Sequence, residues 1–114
     1  MRRLAILAGL ALVLRMDGVM LTRQLFSVSY YANVNGAPPF MGLMKSGQYT
    51  RPGVCACGPS YDFGTTFILD NGKVLECQDR GSAIDDGKLD MWVRTRATAL
   101  RMGRRSEWAW VIHN

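Results

Sequence analysis

The sequence predicts a mainly β protein, a small barrel or sandwich with one short helix. Several short stretches rich in β-branched and aromatic residues alternate with turn-forming residues, which is typical of such folds. The chain shows no internal repeat and no heptad pattern. Its 114 residues suffice for one domain, and 48% hydrophobic residues allow a packed core. We expect this domain to span residues 26–114.

Residues 1–25 are predicted to be a signal-like or membrane-anchoring segment that precedes the domain. Arg2 and Arg3 stand directly before an unbroken apolar run over residues 4–14. This is the layout of a secretory signal, and the run is too short to span a bilayer comfortably. We therefore expect an exported protein of the cell envelope or exterior, with membrane association through residues 4–14 as one option. The alternative is an ordinary buried apolar helix.

The first elements of the domain are a strand over residues 26–31 and a long irregular stretch over residues 32–53. The strand is predicted from its β-branched and aromatic residues. The irregular stretch is rich in Gly, Pro and Asn, but apolar residues such as Met44 and Tyr49 need cover. Long loops of this kind are usually functional or disordered. We expect an ordered flap that borders a groove, with a purely structural loop as the alternative.

The remaining elements follow from turn and cap signals. Asp70-Asn71-Gly72 is a strong hairpin signal. A short helix is predicted over residues 94–102, with Gly103 as its C-terminal cap. The other predicted strands are Val54–Cys57, Thr65–Leu69, Lys73–Gln78, Leu89–Val93 and Trp108–Ile112.

The cysteines favour one disulfide bond and one spare thiol. Cys55 and Cys57 lie two residues apart and share a face of a strand, so either could reach Cys77. A structural zinc is not expected, because Cys-x-Cys lacks the usual ligand spacing and the only histidine is His113. The sequence calls for no cofactor.

The net charge of +5 favours anionic partners without choosing among them. No aromatic residues interleave with the main basic cluster, so no specific nucleic-acid partner is expected. A solvated helix face is the ordinary role of such a cluster. Its members are Arg94, Arg96, Arg101, Arg104 and Arg105.

Two aspartates at strand junctions are the candidate catalytic residues. Asp79 ends the run that begins at Val74, and Asp90 lies within an apolar strand. Cleavage of sugars needs a positioned carboxylate that can give and take a proton. Asp79 could instead cap a turn. Asp90 needs partners in apolar surroundings, so it either takes part in the chemistry or accepts N–H bonds from the 80–87 loop and holds Asp79.

Four segments of the chain, in this order, resemble the three-aspartate domain family. The core motif is Asp-x-Gly-x-Ala-Ile, followed by an aspartate within an apolar strand. The resemblance covers residues 27–112 and extends to the catalytic barrel of membrane-bound lytic transglycosylase A and to stationary-phase muralytic proteins. It implies a small six-stranded double-psi β-barrel. The four segments are 58–65, 79–84, 89–91 and 99–105.

The family resemblance implies that the protein cleaves the glycan strands of peptidoglycan. By this resemblance Asp79 is the catalytic acid and base, and Asp90 is the later aspartate of the motif. The acid protonates the glycosidic oxygen, and the resulting base takes a proton from the sugar's own 6-hydroxyl, which closes an anhydro ring. Gly58 stands where the family usually carries its first aspartate, and Asp62 lies four residues on. A glycan-binding barrel without activity is the alternative.

Six further residues are predicted to contact the glycan. Those of the flap are expected to line the groove, the two in the motif flank Asp79, and the tryptophan offers a flat face for a pyranose ring. Core packing is the commoner role of such an aromatic residue. The six residues are Ser46, Tyr49, Thr50, Gly81, Ala83 and Trp92.

Overall fold

The computed structural model describes residues 10–33 and 42–113 and confirms a mainly β fold with one short helix. Seven strands and the helix follow each other along this part of the chain. Their bounds are β1 (Leu10–Met16), β2 (Val19–Tyr31), β3 (Val54–Ala56), β4 (Thr66–Leu69), β5 (Val74–Asp79), β6 (Lys88–Trp92), α1 (Arg96–Met102) and β7 (Arg105–His113).

Strands β2 to β7 close into a six-stranded barrel. Their order around the barrel is β2, β6, β3, β5, β4 and β7, and β7 pairs back with β2. The pairs β2–β6 and β3–β5 are parallel, while the other barrel pairs are antiparallel. Closure leaves these six strands without an open sheet edge. The predicted six-stranded barrel is thereby confirmed.

Strand β1 lies outside the barrel and forms a hairpin with β2. Met16 pairs with Val19, so the turn consists of Asp17 and Gly18, both with positive φ (50° and 79°). Asp-Gly is the preferred pair for such two-residue turns. Residues 10–14 therefore form a strand, where the sequence predicts an apolar helix or signal segment. An apolar run alone cannot distinguish the two structures.

Only part of the predicted N-terminal segment belongs to the described residues. Residues 1–9 lie outside the described residues, and the predicted boundary between residues 25 and 26 falls inside β2. Within residues 10–33 and 42–113, no helix has the length and apolar character to cross a membrane.

The main core fills the barrel and contains the disulfide bond. Along β2, Phe26 and Val28 point into the core, whereas the alternate serines point outward. The bridge joins Cys57 to Cys77, and Cys55 remains a free, buried thiol. This settles the pairing that the sequence leaves open.

The flap packs on the outer surface of the barrel. Met44 forms a second buried cluster with Val54 and Trp92, and Tyr31 packs against it. A backbone hydrogen bond from Met44 N to the Gln48 carbonyl (2.8 Å) closes a tight loop within the flap. The predicted flap is thus ordered over residues 42–53, and its residues 34–41 lie outside the described residues.

The helix is short and capped at both ends. Its N-cap is Thr95, whose hydroxyl accepts a hydrogen bond from the backbone N–H of Thr98 at 3.1 Å. Gly103 ends it with φ 67° and donates its N–H to the Ala99 carbonyl. The predicted glycine cap is confirmed, and the helix begins two residues later than predicted.

Candidate functional site

Strand β3 brings the two candidate catalytic aspartates to one patch of the barrel. Ala56 pairs with Asp79 of β5 on one side and with Asp90 of β6 on the other. Neighbouring strands lie about 4.8 Å apart, which puts the two aspartate Cα atoms about 10 Å apart. Residues 11 positions apart in the sequence therefore flank a single alanine.

Both aspartates face the outer side of the barrel. Asp90 alternates with Leu89 and Met91, which belong to the core, so its side chain points away from the core. Asp79 follows an irregularity in the β3–β5 pairing, where the register shifts between Cys55 and Ala56. Such bulges re-aim side chains and are common next to active sites.

The Asp79 carboxylate accepts three hydrogen bonds. The Tyr31 hydroxyl donates to Oδ2 at 2.9 Å. The backbone N–H groups of Lys45, in the flap, and of Arg80 donate to Oδ1 at 3.0 and 2.9 Å. Because the donors come from β2, the flap and the chain after β5, three parts of the fold fix the orientation of this carboxylate.

The Arg80 guanidinium points away from Asp79. It donates to the carbonyls of Tyr61 (2.6 Å) and Gly58 (3.2 Å), and Nη1 lies 2.9 Å from the Cys57 Sγ atom. Its Cζ stacks over the Phe63 ring at 4.3 Å from the centroid. This arginine therefore braces the loop that follows β3, on the side of the disulfide.

Asp90 is half-buried and accepts a hydrogen bond from the Ser29 hydroxyl at 2.8 Å. Burial raises the pKa of Asp90, while the Ser29 bond and the positive charge of Arg104 act against that rise. The sequence predicts N–H donors from the 80–87 loop. The partner is instead Ser29 of β2, because residues of that loop bond one another, as Ile84 N does to the Gly81 carbonyl (3.0 Å).

Tyr31 and Cys55 complete the immediate surroundings of the two carboxylates. Burial raises the pKa of the Tyr31 hydroxyl, and its hydrogen bond to Asp79 raises it further, so the hydroxyl remains a donor. Burial and the charges of Asp90 and Asp79 likewise raise the pKa of the Cys55 thiol. The thiol is therefore neutral beneath the site. The role of Tyr31 as a donor to Asp79 was not predicted, because no local sequence pattern signals it.

Two of the predicted glycan contacts, Thr50 and Trp92, lie inside the flap contact. They are 1% and 4% exposed. The Thr50 hydroxyl and the Trp92 indole N–H both donate to Asn33 Oδ1, at 3.0 and 2.8 Å. Thr50 Oγ1 also accepts from the backbone N–H of Gly42 at 2.9 Å. These bonds tie the flap to β6.

The other four predicted contacts lie nearer to solvent. Ser46 donates its backbone N–H to the Gln78 carbonyl at 3.1 Å, which places it next to Asp79. Gly81 and Ala83 are exposed in the turn that follows Asp79. Tyr49 is 61% exposed at the edge of the flap. Ser46 thus lies next to Asp79, Gly81 and Ala83 follow it in an exposed turn, and Tyr49 is exposed on the flap.

Gly58, at the position of the family's first aspartate, has no room for a side chain. A Cβ atom there would lie 2.5 Å from both the Cα and the N atom of Asp86. The Asp86 carboxylate accepts hydrogen bonds from the Ser60 backbone N–H (3.0 Å) and hydroxyl, which hold this close approach in place. Asp62 is exposed on the following turn.

Among the described residues, no group of three or more His, Cys, Asp or Glu side chains is arranged to hold a metal ion. Comparison with protein-family models, with curated proteins and with solved structures finds no match for this chain. The resemblance to the three-aspartate domain therefore depends on the motif residues of the chain itself.

Proposed function

We propose that this protein is a lytic transglycosylase, or a closely related muramidase, that cleaves the glycan strands of peptidoglycan in the cell envelope. The observation that carries the proposal is the pair of aspartates, Asp79 and Asp90, on either side of Ala56, with Asp79 in contact with the flap. The proposal includes a double-psi topology for the six-stranded barrel, as the motif resemblance implies.

In this proposal Asp79 acts first as a general acid and then as a general base. Its protonated carboxyl gives the proton to the glycosidic oxygen, and the bond from that oxygen to the sugar's C1 breaks with both electrons leaving on the oxygen. The carboxylate then takes a proton from the 6-hydroxyl, whose oxygen bonds to C1 and closes the anhydro ring. No water is consumed. Three hydrogen bonds hold the group in one orientation for both steps.

Asp90 is the second carboxyl group of the proposed site. Because burial raises its pKa, it keeps a proton to higher pH than an ordinary aspartate does. A neutral Asp90 limits the negative charge beside Asp79, and a charged Asp90 would stabilise positive charge developing at C1. Because the proposed roles of Asp79 and Asp90 differ, each residue is replaced in a separate variant.

A glycan-binding barrel without activity is the second candidate. The observation that favours it is Gly58, where the backbone of Asp86 leaves no space for the family's first aspartate. Binding of a glycan would need neither proton transfer nor a third carboxylate.

The test is digestion of purified peptidoglycan by the wild type and by the variants Asp79→Asn and Asp90→Asn. The wild type is expected to clear the substrate and release anhydro-muramic ends, which mass spectrometry detects. Loss of the general acid should slow the reaction about 100- to 10,000-fold. The control is Asp85→Asn, which alters an exposed turn residue and should keep full activity.

The other outcomes distinguish the candidate functions. Products with ordinary reducing ends would indicate a hydrolase. A wild type that sediments with peptidoglycan and never cleaves it would support the binding barrel. A protein that neither cleaves nor sediments would rule out both proposals.

A further inference from the structure

A cavity of about 410 Å³ lies at the far end of β5 from Asp79. Its lining includes three buried apolar residues, which we call its floor: Leu75, Met91 and Trp92. Pro52 and Gly53 of the flap form one wall, and the loop from β6 into α1 forms the other. This volume falls within the usual range of small-ligand sites, which are mostly apolar with a few polar groups.

Two cations stand on the rim of this cavity. They are Lys73, before β5, and Arg94, before α1. The ion pairs among the described residues use other cations, namely Arg23, Arg51 and Lys88. None of the lining residues that the structure describes carries a carboxylate. The rim is therefore positively charged and the floor apolar.

The cavity lies away from Asp79 but close to Asp90, which directly precedes the lining residues Met91 and Trp92 on β6. Neither Asp79 nor Asp90 lines it. From Val74, which lines the cavity, to Asp79 the strand advances five residues, or about 16 Å. A ligand in the cavity would touch the start of β5 and the end of β6, with no lining contact to Asp79 or Asp90.

We propose that this cavity binds the C-terminal end of a short apolar peptide. The α-carboxylate would lie between Lys73 and Arg94, where a guanidinium can hold both carboxylate oxygens. Small apolar side chains would cover Leu75 and Trp92. The Thr98 hydroxyl on the wall offers a polar partner for a peptide group, which a fatty acyl chain would leave unused. This inference goes beyond the proposed function and does not depend on Asp79.

Isothermal titration with acetyl-Ala-Ala tests the proposal, with the same peptide as its C-terminal carboxamide for comparison. The free acid is expected to bind saturably, and the carboxamide at least about tenfold more weakly, because it lacks the charged hydrogen-bond acceptor. Lys73→Gln and Arg94→Gln should each weaken binding of the acid by about tenfold. Arg96→Gln alters an exposed arginine outside the cavity and should leave binding unchanged. Asp79→Asn should also bind as the wild type does, whatever its effect on cleavage.

Three results would overturn the proposal. Equal affinity for the acid and the carboxamide would remove the role of the carboxylate. Tighter binding of octanoate than of the peptide would assign the cavity to acyl chains. No saturable binding of the acid by a wild type with the circular dichroism of a folded protein would show that the cavity is no peptide site.

Discussion

The two faces of strands β6, β3 and β5 differ in what stabilises them. The inner face carries Cys55, Cys77 and Leu89, each with 0% exposure, and the disulfide bond crosses it. The outer face carries Asp79 and Asp90, which are only half-buried and hydrogen-bonded. Burial of apolar surface stabilises the inner face, whereas polar groups on the outer face need partners to offset lost hydration. Alternate residues of the same strands thus carry the core and the candidate chemistry.

Loss of the disulfide should give the largest change in stability, because it acts on the inner face. The variant Cys57→Ala/Cys77→Ala removes a bridge between two residues that are 20 positions apart in the sequence. We expect the free energy of unfolding to fall by about 3 kcal/mol, as measured by urea denaturation. The control is Cys55→Ala, which removes the free buried thiol and keeps the bridge. Equal losses in the two proteins would contradict the prediction.

Removal of one buried hydroxyl from the flap contact should lower the free energy of unfolding by less than loss of the disulfide does. Thr50→Val keeps the shape of the side chain but leaves the Gly42 N–H without its side-chain acceptor and removes the bond to Asn33. We expect a loss of about 1–3 kcal/mol in the free energy of unfolding. Ser82→Ala, in the exposed turn after Asp79, is the control and should change stability by less than about 0.5 kcal/mol. If both variants lost the same amount, hydrogen bonding would not be what secures the outer face.

Local signals predicted much of the fold. Strand 26–31, the hairpin turn at Asn71-Gly72 and the Gly103 cap follow from backbone preferences of a few residues. The β1–β2 hairpin had a signal of the same kind in Asp17-Gly18. The apolar run before it favoured a signal segment, because such a run has no periodicity that separates helix from strand.

The candidate site was harder to predict because its geometry is non-local. Asp79 and Asp90 were found by motif and chemistry, but their place on either side of Ala56 depends on strand register. The Tyr31 donor is 48 residues from Asp79 in sequence, and the Lys45 donor is a backbone group that any residue could supply. The disulfide pairing is likewise non-local: Cys55 lies opposite Cys77 in the strand register, yet Cys57 forms the bridge.

Tyr31→Phe tests a single hydrogen bond on the outer face and should have a smaller effect, on kcat. It removes the hydroxyl that donates to Asp79 and leaves the ring against the flap cluster. If the proposed function holds, we expect kcat to fall about five- to tenfold, as for loss of about 1 kcal/mol of hydrogen bonding, with KM little changed. Tyr30→Phe is the matched control, because Tyr30 packs against the inner core. Similar losses in kcat for both variants would show that the Tyr31 hydroxyl has no particular role.

The smallest expected effect is a pH dependence of opposite sign at two aspartates. Burial raises the pKa of Asp90 above its ordinary value of 3.8, so the folded protein binds more protons there than the unfolded chain. The stability contributed by this group is fully present below the ordinary pKa and is lost as pH rises through the folded pKa. Asp90→Asn should therefore gain stability relative to the wild type between about pH 4 and pH 7.

Asp70 is the control, because its ion pair with Arg23 lowers its pKa. Its contribution is fully present above the ordinary pKa and is lost as pH falls through the folded pKa, so Asp70→Asn should lose stability relative to the wild type as pH rises to about 4 and change little above it. Urea denaturation between about pH 2 and pH 7 measures both differences. The same sign for both variants would show that burial does not control the proton on Asp90.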